Sequence, residues 1–128
     1  MKKLLIYTIL LFPFAGMAQS EDNSPLAKIP NVFSPNGDGI NDQFIVHFDT
    51  TFQVKYVKIT FFNRYGQIVH EREIPEIALK DNPLSTFYLW DGTTNAGVNV
   101  PDGTYFYILE YQTNTSTAEK TGTVSVLR

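Results

Sequence analysis

An all-β fold, an antiparallel sandwich of short strands, is predicted by three features of this sequence. Apolar residues alternate with polar ones in several runs, turn residues separate the runs, and no segment sustains a helical period. A composition of 43% hydrophobic and 14% aromatic residues, including ten Phe, seven Tyr and one Trp, supplies side chain enough for a core. A length of 128 residues sets one domain.

The elements follow in chain order. Lys2 and Lys3 precede an apolar stretch, Leu4 to Phe14, and Gly16-Met17-Ala18 places small residues where signal peptidase cuts. The stretch is shorter than the roughly 20 residues a membrane span needs, so residues 1–18 read as a cleaved signal peptide with no transmembrane segment left behind. Residues 19–28 are polar, carry Pro25, and read as a short leader. Phe44, Val46 and Phe48 alternate with Gln43, His47 and Asp49, and Val57, Ile59 and Phe61 with Lys58 and Thr60. A further run goes from Ile68 to about Glu73. Pro75 to Lys80 is the best helix candidate, too short to hold without packing.

Thr104 to Thr113 carries Tyr105, Tyr107, Leu109 and Tyr111 on one face and Phe106 and Ile108 on the other, which predicts a central strand. The polar stretch 113–121 reads as the last hairpin loop, and Val124 and Val126 alternate through the final strand. Asn63-Arg64-Tyr65-Gly66 predicts a tight hairpin in which Gly66 takes a positive φ. Gly92, after Asp91, and Pro101 and Gly103, flanking Asp102, mark two more turns. About seven such strands fit a sandwich of the immunoglobulin-like sort, with Trp90 between the sheets and its indole N–H needing one polar partner.

Several function classes fall away. A net charge of −3 is unsuited to nucleic acid. Without cysteine there is no disulfide, thiolate metal site, cysteine nucleophile or lipid-anchoring cysteine. The two histidines, His47 and His70, sit in strand runs with no serine or acid arranged as a triad. Glu71/Glu73 and Asp91/Asp102 are paired carboxylates without a sign of a cleft. No enzyme is indicated.

Two stretches have an alternative reading. In the loop 36–42, Asn36, Asp38, the Ile40 carbonyl and Asp42 have the spacing of oxygen ligands to Ca2+, though Ser34 stands where a first acid would be and no Glu closes the site. The same residues also fit a tight turn in which Asn and Asp side chains accept from nearby amides. The Tyr105/Tyr107/Tyr111 row would stack sugars if exposed, and would be core if buried.

Five signatures stand in a fixed order: Ile29-Pro-Asn-Val-Phe-Ser-Pro-Asn-Gly-Asp-Gly-Ile-Asn-Asp42, Phe62-Asn-Arg-Tyr-Gly-Gln67, Trp90-Asp-Gly-Thr93, Val100-Pro-Asp-Gly-Thr-Tyr-Phe-Tyr107 and Gly122-Thr-Val-Ser-Val-Leu-Arg128. Together they resemble the gliding motility-associated C-terminal domain, the type B sorting domain of the Bacteroidota type IX secretion system, over residues 29–128. The resemblance implies a non-enzymatic module that takes cargo from the periplasm across the outer membrane, to be kept on the cell surface or released, with the type IX machinery as partner. Members usually follow a large adhesin or enzyme, whereas only about ten residues separate the signal peptide from this domain. The alternative function is a small secreted protein binding carbohydrate or protein. Under the sorting reading, Gly122, Thr123, Val124, Ser125, Val126, Leu127 and Arg128 are the recognition candidates, because an alternating last strand with nothing after it is expected to leave an open edge for a partner strand.

Overall fold

The computed structural model describes residues 25–80 and 83–128, so the signal peptide expected over 1–18 lies outside the described residues. The strands are β1 (Leu26–Lys28), β2 (Val32–Phe33), β3 (Phe44–Phe48), β4 (Val54–Phe62), β5 (Ile68–Ile74), β6 (Thr86–Trp90), β7 (Gly103–Thr113) and β8 (Thr117–Val126), with one helix, α1 (Glu76–Lys80). They form a three-stranded sheet, β1-β3-β6, and a five-stranded sheet, β2-β8-β7-β4-β5.

Alternation decides which face of each strand is inside. In β3, Phe44, Val46 and Phe48 are buried, and in β4 Val57, Ile59 and Phe61 are fully so. β7 lies between β8 and β4, as residues on both its faces predicted, and buries Tyr105, Tyr107, Leu109 and Tyr111. The sheets meet through edge-to-face aromatic pairs: Phe44 with Phe61 and Tyr107 at 5.1 and 5.4 Å, and Phe48 with Tyr111 at 5.2 Å. Trp90 closes one end, stacked on Phe61 at 4.3 Å and edge-on to Tyr105 at 5.4 Å. The predicted short helix forms because Leu79 is buried against the core.

The structure departs from the sequence expectations in four places. First, β1 lies inside the stretch assigned to the polar leader, where Leu26 packs on the core and the Pro25 carbonyl accepts from Asp49 N–H at 2.7 Å. Second, β6 is an additional strand around Trp90, paired with β3. Third, the loop expected over 113–121 is only Asn114-Thr115-Ser116, closed by Thr113 N–H donating to the Ser116 carbonyl at 2.8 Å. β8 begins at Thr117, and its first half reads as loop because its inward positions are Ala118, Lys120 and Gly122, too small or too polar to mark an apolar alternation. Fourth, the sandwich is not purely antiparallel. β2 pairs parallel to β8, Val32 with Ser125 and Phe33 with Val126.

Candidate recognition surface

The terminal segment proposed for recognition is folded firmly into the sheet. Val124 and Val126 are buried, and Ser125 N–H and Leu127 N–H donate to the carbonyls of Asn31 and Phe33 at 2.9 and 3.1 Å. The expected open edge is therefore absent over Ser125 to Leu127. β2 occupies it because Phe33, anchored in the core against Trp90 at 5.4 Å, holds its own backbone alongside β8.

Arg128 is equally tied down. Its guanidinium donates to the Val100 carbonyl at 2.5 Å and the Gly92 carbonyl at 2.9 Å, and pairs with Asp102 at 3.4 Å. Its backbone N–H reaches the second Asp102 oxygen at 3.1 Å. A planar fork suits such convergent carbonyls. Gly92 has φ +84°, and a Cβ there would lie 2.7 Å from Pro35 Cγ and 3.0 Å from the Arg128 guanidinium, so only glycine fits beneath the clamp. Gly122 is constrained differently: a Cβ there would lie 2.5 Å from Tyr107 Oη, because the Tyr107 ring lies across it. The turn before β7 is fixed by Tyr105, whose hydroxyl donates to the Pro101 carbonyl at 2.6 Å, with Gly103 following at φ +152°. Gly66, at φ +80°, closes the β4–β5 hairpin by donating to the Asn63 carbonyl at 3.0 Å.

In the loop 36–42, Asp42 is the hub. One carboxylate oxygen accepts from Asn36 and Gly37 N–H at 3.2 and 2.9 Å, and the other from Gly39 N–H at 2.7 Å. Asn36 and Asp38 each accept from the amide two residues on, at 3.1 and 2.8 Å. These are the bonds of the turn reading. Among the described residues no group of three or more His, Cys, Asp or Glu gathers as metal ligands.

The residues considered for catalysis are dispersed among structural contacts. His47 Nδ1 lies 3.2 Å from Thr86 Oγ1. Glu71 pairs with Lys58 at 3.5 Å, Glu73 accepts from the Tyr56 hydroxyl at 2.7 Å, and Asp91 accepts from Thr93 N–H and Oγ1 at 3.2 and 2.6 Å. His70 stacks on Trp90 at 6.1 Å, its Nδ1 buried without a hydrogen-bond partner. Burial holds its pKa below the ordinary 6.5, against a smaller upward pull from Asp91. The Tyr105/Tyr107/Tyr111 rings are core, while the exposed large aromatics are Tyr65, Tyr88 and Phe106.

Sequence reasoning missed the Arg128 clamp, the covering strand β2 and one edge plug. Asn95 accepts from Glu71 N–H at 2.8 Å and donates to the Glu71 carbonyl at 3.0 Å, imitating a neighbouring strand on the outer edge of β5. No sequence signal marks any of them, since each joins residues 24 or more positions apart.

Among the described residues no helix is long and apolar enough to cross a membrane. No curated protein sequence matches the chain significantly. Among solved structures, CopC from Methylosinus trichosporium OB3b is similar in fold, with a TM-score of 0.53 at 14% identity over 82% of this chain and 94% of that one. The model of the CHU_C Type IX secretion signal domain matches residues 27–126. That span runs from β1 to the last residue of β8, both sheets included. The chain thus belongs to the CHU_C family of type IX secretion signal domains, a family of export signals and not of catalysts.

Proposed function

We propose that this domain is read by the outer-membrane type IX machinery as a folded sandwich, and that the protein ends on the cell surface or in the medium by way of the periplasm. The family match over both sheets supports this reading, because what it spans is a whole folded domain and not a short linear tag. The contact runs through the terminal strand, Gly122 to Arg128. Its backbone is held between β7 and β2 and its last residue by Asp102, Val100 and Gly92, so a receptor meets it with little ordering to do. Leu127, 51% exposed, is the apolar side chain this segment presents.

A reporter placed between the signal peptide and residues 25–128 tests the reading. In a type IX-competent host the reporter is expected at the surface or in the medium, and in a translocon-disabled host in the periplasm. Export that ignores the translocon, or periplasmic retention in the competent host, overturns it. Leu127→Asp, checked for an unchanged melting temperature, is expected to reduce export and so separates recognition from folding.

A further inference from the structure

The register of β8 identifies the part of its edge that β2 leaves open. Ser125 N–H points to β2, so in a regular antiparallel ladder the N–H groups of Thr123, Thr121, Glu119 and Thr117 point the same way, outward. β7 and β8 pair without a register shift from Gly103/Val126 to Gln112/Thr117, and β2 reaches no further upstream than Ser125. Among the described residues, nothing pairs with the outward edge of the backbone from Thr117 to Thr123. It is rich in threonine, a good strand former. The opposite edge of the sheet is blocked by Asn95 at Glu71.

The outer face beside this edge is acidic. Cross-strand partners place Glu119 opposite Glu110, Glu110 opposite Lys58, and Lys58 opposite Glu73, one row across four strands. Lys58 forms its ion pair with Glu71, and Lys120 points to the other face of β8. The pair Glu110–Glu119 is a non-hydrogen-bonded one, in which side chains come closest and like charges repel. The negative field is felt at Tyr56, whose phenol is pushed up to about 12, first by its hydrogen bond to Glu73, then by desolvation and by the charges of Glu73, Glu110 and Glu71.

We propose that the Thr117–Thr123 edge is a β-augmentation site for an extended protein segment carrying lysine or arginine on the outer face, where its cation meets Glu119 and Glu110. Backbone pairing supplies affinity, and the two glutamates select a basic strand. The inference rests on the sorting reading only for the origin of the partner, which is then a component of the secretion machinery.

Two arms test it. In the first, the purified protein is mixed with an alternating Thr-Lys peptide of about eight residues or its Thr-Glu twin. The lysine peptide is expected to slow amide exchange at Glu119, Thr121 and Thr123, and to bind roughly tenfold more tightly than the twin. No protection at these amides, or equal binding of both peptides, overturns the proposal. The second arm exports the reporter with Glu119→Lys or Thr121→Pro. Glu119→Lys is expected to raise the melting temperature, by placing a cation opposite Glu110, and yet to reduce export. Thr121→Pro removes one outward N–H, which an edge strand tolerates, and is expected to reduce export at a near-native melting temperature. Undiminished export of both variants beside an exported wild type overturns this site and leaves the sorting reading standing. A wild type that stays periplasmic overturns the sorting reading, and the peptide arm then decides the edge alone.

Discussion

His70 shows how one half-buried side chain ties a prediction about pH to its surroundings. Its imidazole lies against Trp90 and Phe61, with Nδ1 unpartnered, and burial disfavours the cation. A base whose folded pKa lies below its unfolded value binds the proton more readily in the unfolded chain. Stability is therefore full above about 6.5 and is lost as pH falls from there toward the lower folded pKa. Denaturant midpoints taken between pH 7.5 and 5 are expected to fall on acidification, and to fall less in His70→Gln. An identical pH profile in that variant would place the titrating group elsewhere. Gly122 makes a related point about single positions. It stood in the sequence as a recognition candidate, and in the fold its lack of a Cβ makes room for the Tyr107 ring, whose other face partners are Phe44 and Phe61.

Among the elements, the 36–42 loop and β8 show opposite degrees of legibility. The loop was recognisable because its bonds are local: Asn and Asp accept from amides two to six residues away, and spacing along the chain decides that. Asp42→Ala removes the acceptor of three backbone N–H groups and is expected to cost about 1–2 kcal/mol, measured by denaturant unfolding. With those oxygens turned to amides, melting curves in millimolar Ca2+ and in EDTA are expected to coincide. A Ca2+-dependent rise that disappears in Asp38→Ala would restore the ion-binding reading of Asn36, Asp38, Ile40 and Asp42. β8 is the contrary case. Its buried half, Val124 and Val126, alternates visibly, whereas Thr117 to Thr123 turns only Ala118, Lys120 and Gly122 inward and reads as loop. An edge strand whose inward positions are small or charged leaves no apolar period to read.

For the molecule as a whole, the sandwich depends on aromatic contact between sheets, and Trp90 is its largest fully buried side chain. Its indole N–H donates to the Thr93 carbonyl at 2.7 Å, the single polar partner expected of it. Trp90→Ala is expected to cost about 3–5 kcal/mol. Domains of this size hold about 5–15 kcal/mol in all, so the denaturant midpoint should drop sharply. An unchanged midpoint would contradict the burial described. By itself the sequence determined the fold class, the central place of β7, that Tyr105, Tyr107 and Tyr111 share one face, the hairpin at Gly66 and the family; that this face turns inward was settled by the fold. Alternation, turn chemistry and motif order are properties of neighbours along the chain. Tertiary structure alone decided that β2 covers Ser125 and Val126, that Arg128 is bound to Gly92, Val100 and Asp102, and that the open edge lies upstream, at Thr117 to Thr123. Which strand lies beside which is set by the packing of residues far apart in sequence, and no local pattern encodes it.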